Sequence, residues 1–122
     1  MTPEELTSEL GLIYKRIGQP LSRDTAGLMD ELDDRCQWLA RSSELLAEAQ
    51  HILDKRRGEI AEENRELGAM ILREILSSKS ADETRLKNLA DRLNATITHQ
   101  VDAIRSILSF EKSLSNQLPQ RQ

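Results

Sequence analysis

The feature that most limits what this chain can become is a run of aliphatic residues spaced seven apart: Leu32, Leu39, Leu46, Leu53, Ile60 and Leu67. Seven residues make close to two turns of α-helix, so the six rungs lie along one side of a single long helix. A second series, Trp38, Leu45 and Ile52, runs beside the first half and widens the apolar face enough to meet two neighbours. The positions a two-stranded coiled coil needs between the rungs are poor. They are Cys36, Ser43, Gln50, Arg57 and Asn64 in one register, or Arg35, Ser42, Ala49, Arg56 and Glu63 in the other. The ladder therefore predicts a bundle helix, broad-faced in its first half and narrow in its second, rather than a free-standing zipper.

Local signals divide the rest of the chain. Thr2, Pro3 and Glu5 read as an N-cap, a first-turn proline and the glutamate of a capping box, and Leu6, Leu10, Ile13 and Ile17 follow on one face until Gly18-Gln19-Pro20. The long helix starts near Ser22 or Asp24. At Lys55-Arg56-Arg57-Gly58-Glu59 the charges change sign in the order that suits a helix end and a new start, yet the ladder keeps its register across the glycine. Two forms stay open, one continuous and one broken at Gly58; the continuous form is about 80 Å long at ~1.5 Å per residue. Ser77-Ser78-Lys79-Ser80 predicts a turn, with Ser80 and Glu83 as a second capping box. Beyond it Leu86, Ala90, Leu93, Ile97, Val101, Ile104 and Leu108 fall within one arc, which broadens late to include Ala103, Ile107, Phe110 and Leu114.

The expected fold is all-α: one helical domain over 1–122, a bundle of a short N-terminal helix (3–17) and two long antiparallel helices (23–77 and 81–116), with residues 117–122 frayed. A chain of 122 residues with 31% charged residues and five glycines suits helices, not sheet or disorder. Cys36 stands alone, so no internal disulfide or thiolate cluster can form. The acidic start lacks the features of a signal peptide, and no run of about 18 apolar residues occurs, which makes no membrane and a cytoplasmic setting the expectation. A net charge of −4 and three aromatics, Tyr14, Trp38 and Phe110, argue against a nucleic-acid partner.

Three groups of candidate site residues follow. Trp38, Leu45 and Ile52, with Ile107, Phe110 and Leu114, exceed what one chain can cover and are the expected partner-binding surfaces, most simply in a dimer of this chain. Arg92, His99, Asp102 and Arg105 are a candidate polar or anionic-ligand site. Against that stands a plainer reading in which Asn94, Gln100 and Arg105 fix helix register by hydrogen bonding and His99 faces solvent. The pairs His51/Asp54 and His99/Asp102 lack further ligands, so no metal site is assigned, no cofactor is expected, and Cys36 reads as a small packing residue rather than a nucleophile.

The acidic run Asp30-Glu31-x-Asp33-Asp34 and the pairs Glu59/Glu63 and Glu62/Glu66 repel unless offset, and a solvated helix face or start is their ordinary explanation. The second run resembles the first half of the Mg²⁺ site of all-α nucleotide pyrophosphatases, in which an ExxE pair is followed by ExxD on the next helix. The second half is missing: Glu74 is followed three positions on by Ser77, and Glu83 by Leu86. Residues 89–112 resemble the C-terminal helix of small uncharacterised helical proteins carried by phages and other mobile elements, which implies an accessory role and no activity. The leading expectation is a non-catalytic oligomeric scaffold or adaptor. The alternatives are a small-ligand or nucleotide-binding helical oligomer and a pyrophosphatase-like enzyme.

Overall fold

A computed structural model of the protein describes residues 1–117. It is all-helical, with four helices in the order α1 (Pro3–Ile17), α2 (Thr25–Glu63), α3 (Ala69–Lys79) and α4 (Ala81–Gln117). Of the expected tail, Gln117 belongs to α4 and 118–122 lie outside the described residues. Paired side chains give the directions. Thr25 meets Glu111, Arg35 meets Gln100, Ser42 meets Asn94 and Arg56 approaches Glu83, so α4 descends as α2 ascends. Glu9 holds Arg41 and Arg16 lies over Trp38, so α1 also runs against α2 and therefore alongside α4.

α1 forms because its start and end are both specified locally. Thr2 accepts from the Glu5 amide at 3.1 Å while Glu5 accepts from the Thr2 amide at 3.3 Å, and Lys15 and Arg16 sit in the last turn where the helix dipole favours cations. Leu6, Leu10, Ile13 and Ile17 are buried against α2 and α4. Asp24 caps α2 by accepting from the Gly27 amide, and the linker folds back so that Ser22 donates to the Glu31 carboxylate. A Cβ on Gly27 would lie 2.2 Å from Ser22 Oγ, so this close return of the linker requires glycine.

The long helix differs from both expected forms. α2 runs unbroken through Gly58 and ends instead at Asn64, whose side-chain amide donates to the Ile60 carbonyl. Gly68, in extended backbone, then opens a separate helix, α3. The turn takes the last rung, Leu67, out of the ladder. A glycine costs a helix only about 1 kcal/mol relative to alanine, too little to break one whose neighbours Leu53 and Ile60 are buried. Nothing lies within 4 Å of a Cβ built on Gly58. Gly58→Ala is therefore expected to stabilise the protein by about 1 kcal/mol, raising Tm by about 4 °C in a thermal melt.

The turn expected at Ser77–Ser80 is also shorter: α3 continues through Lys79 and only Ser80 separates it from α4. The expected capping box is absent because the fully buried Ser80 hydroxyl donates back to the Leu76 carbonyl, and Glu83 turns toward Arg56. Such back-bonding is the competing use of a helical serine.

The α2–α4 seam overturns the simple reading of the ladder. Leu32, Leu39 and Leu46 are only half-buried, whereas Leu28, Arg35, Ser42 and Ala49 are buried. At ~100° per residue this line bisects the angle between the two apolar series, so it is the midline of the broad face. The residues that spoil a zipper are those that let α4 approach, with Ala90, Leu93, Ile97, Val101 and Ile104 facing them. A straight helix drifts by about 20° per heptad, which carries Leu53 and Ile60 from the edge into the centre.

Glu9 and Arg41 clamp α1 to α2 by two hydrogen bonds, and this partner holds the Glu9 carboxyl below its ordinary value of 4.5. A lowered folded value means that the stabilisation is fully present above pH 4.5 and is lost as pH falls through the folded value. Acid titration is expected to loosen α1 first. Trp38 fluorescence reads this, because Trp38 is half-buried with the Arg16 guanidinium 5.5 Å from its ring. In Glu9→Gln the acid-dependent part of the fluorescence change should disappear.

Candidate functional site

α1 is shorter than the helices it covers, and the site arises from that mismatch. Gln100 donates to the carbonyl of Ile17, the last residue of α1, at 2.9 Å. On the α4 wheel, Leu89, Leu93 and Gln100 lie on the flank facing α1, and Ile107, Phe110 and Leu114 continue that flank beyond the end of α1. There they are uncovered, with Ile107 39%, Phe110 64% and Leu114 47% exposed. Nearby, Met29 of α2 is exposed and, with Thr25, Leu108, Glu111, Lys112 and Ser115, lines a cleft of about 440 Å³. Thr25 donates to Glu111 across its floor. The C-terminal third of α4 therefore carries an apolar strip with Glu111 beside it, which fits docking of a helix and offers no convergent polar groups for chemistry.

The other surface expected to meet a partner lies inside the fold. Leu45 is buried, and Trp38 and Ile52 are half-buried, packed with Leu6, Leu10, Ile13 and Ile17 of α1. The second neighbour that the widened face requires is supplied by the chain's own first helix.

Arg92, His99, Asp102 and Arg105 do not converge. All four are exposed, and on the wheel they spread over about 140°, with Arg92 and Arg105 at opposite limits. Two of the register residues make interhelical bonds: Asn94 donates to the hydroxyls of Ser42 and Ser43, both at 2.9 Å, and Gln100 links Arg35 to Ile17. Arg105 makes no such bond among the described residues. The Thr96 and Thr98 hydroxyls, which raised the question of what else favours this stretch, donate to the Arg92 and Asn94 carbonyls.

The acidic runs are dispersed. Glu59 approaches Arg56 at 3.7 Å, Glu62 pairs with Arg65 at 3.2 Å, and Glu66 falls in the turn after α2. Glu31 accepts from the linker. Among the described residues, no three His, Cys, Asp or Glu side chains come together closely enough to hold a metal ion, and no helix is long and apolar enough to cross a membrane.

One site escaped the sequence reading. Arg57 of α2 and Arg85 and Arg92 of α4 line a common cleft of about 610 Å³ with Ser77, Thr84 and Asn88. Arg85, Asn88 and Arg92 stand at i, i+3 and i+7, a spacing visible in the sequence, but the contribution of Arg57 depends on how α2 and α4 pair. Compared with known proteins, the chain matches no family model, no curated protein and no solved structure.

Proposed function

We propose that this protein is a non-catalytic helical scaffold or adaptor that associates with a second copy of itself and presents helix surfaces to another macromolecule. The observation that supports this most is the flank of α4 that α1 covers as far as Gln100 and leaves bare at Ile107, Phe110 and Leu114. A helix laid there continues the packing that α1 begins, and a second copy offers the same strip for a two-fold contact in which each α4 covers the other. The resemblance of residues 89–112 to helical proteins of mobile elements favours an accessory role.

Sedimentation at micromolar concentration tests the pairing. The expected species is about 28 kDa, twice the 13.9 kDa chain. Phe110→Glu with Leu114→Glu is expected to return it to the chain mass without loss of helix, because both residues are exposed within the chain. A wild-type protein found only at chain mass removes the self-association. Affinity capture from the native host, compared between wild type and this double variant, identifies the further macromolecule.

A further inference from the structure

We propose that the cleft between Arg57, Arg85 and Arg92 binds a small phosphate-bearing polyanion of the di- or triphosphate class, a role independent of the apolar strip at the other end of α4. Three guanidinium groups from two helices line one cavity of about 610 Å³, within the ~300–1,000 Å³ range of small-molecule sites. No Asp or Glu lines it, although the chain has 21 of them and a net charge of −4. Three of the carboxylates nearby in sequence approach other cations: Glu59 and Glu83 approach Arg56, and Glu62 pairs with Arg65. Among the described residues, none of the three cleft arginines lies within ion-pair distance of a carboxylate. Cations gathered around a cavity repel one another, and an entering anion relieves this.

The side-chain types point to phosphate. Guanidinium groups bind phosphate oxygens in paired hydrogen bonds, and Ser77, Thr84 and Asn88 add neutral donors. Arg85 and Arg92 are two turns apart, about 10 Å along α4, which suits a chain of phosphoryl groups better than a single one. A nucleic-acid backbone fits less well. The basic patch is confined to one cleft rather than extended along the molecule, and no aromatic side chain lines it for base stacking.

Isothermal titration of the full chain with inorganic pyrophosphate, with ATP and with a short single-stranded oligonucleotide, at low ionic strength, tests this. Saturable binding of pyrophosphate and ATP, one per chain and weakened by salt, is expected. Arg57→Ala and Arg92→Ala should each weaken it about tenfold, the scale of one charge-assisted hydrogen bond. Arg105→Ala, an equal change of charge at an exposed position of α4 outside the cleft, should leave it unchanged. Both cleft arginines are exposed, and circular dichroism should show unchanged helix in their variants. The proposal is overturned if neither phosphate compound binds, if Arg105→Ala loses as much as the cleft variants, or if the oligonucleotide binds and pyrophosphate does not.

Discussion

Gln100→Leu is expected to cost about 3 kcal/mol, read as a fall in the midpoint of urea unfolding with little change in slope. The reason is the position of this amide at the junction of three helices. Its oxygen accepts from Arg35 Nε at 3.0 Å and its nitrogen donates to the Ile17 carbonyl at 2.9 Å. Arg35 is buried with no carboxylate in ion-pair range among the described residues, and its Nη2 is already without a partner. Leucine at 100 would leave a second guanidinium nitrogen and a helix-terminal carbonyl unbonded. An orphaned buried group costs more than the bond it loses gives, because its hydration is not restored. Arg35→Met combined with Gln100→Leu removes the buried guanidinium together with its acceptor but leaves the Ile17 carbonyl unbonded, and is expected to recover about half of the loss. A double variant as unstable as Gln100→Leu alone would show that the polar link is not the source of the loss.

A second large effect is expected at the α2–α4 seam. Ala49→Leu should destabilise by about 3 kcal/mol, because Ala49 is almost fully buried in the core on the midline of α2 and added methylenes must displace packed neighbours. Leu46→Ala, three residues away and half-buried on the ladder, should cost less, about 1–2 kcal/mol. The order is the test. If Leu46 proved the more costly site, the ladder and not the small-residue line would be the seam.

That contrast shows where the fold was legible. The cap, face and end of α1 are local, and each could be read from Thr2, Glu5, the four apolar positions and Gly18. The arc of α4 was equally clear, because Leu86 to Ile104 keep one period without interruption. The ladder misled because hydrophobicity identifies a face but not its midline. Leucines at two edges with Ser42 and Ala49 between them look like a flawed zipper until a third and a fourth helix edge are supplied. The end of α2 was not anticipated, because the ladder pointed to a helix running on to 77 and the charge reversal to a break at Gly58, whereas the roles of Asn64 and Gly68 depend on backbone angles.

Candidate sites divided along the same line. The exposure of Ile107, Phe110 and Leu114 could be anticipated from the surplus of apolar residues on one helix. The enclosure of Leu45 could not, since it depends on α1 folding back over α2. The arginine cleft needed the α2–α4 pairing, which brings together residues as distant in sequence as Arg57 and Arg92.

The unbroken course of α4 has a further consequence. Twenty-two residues separate Arg92 from Leu114 on one helix, which at ~1.5 Å per residue is about 33 Å of stiff rod. The Debye length in physiological salt is about 8 Å, so charge held at one end is electrostatically silent at the other. The molecule is thus a polar strut with insulated ends. A polyanion in the proposed arginine cleft and a helix on the proposed apolar strip would be held at a fixed separation, and the attachment of one could be tuned without disturbing the other.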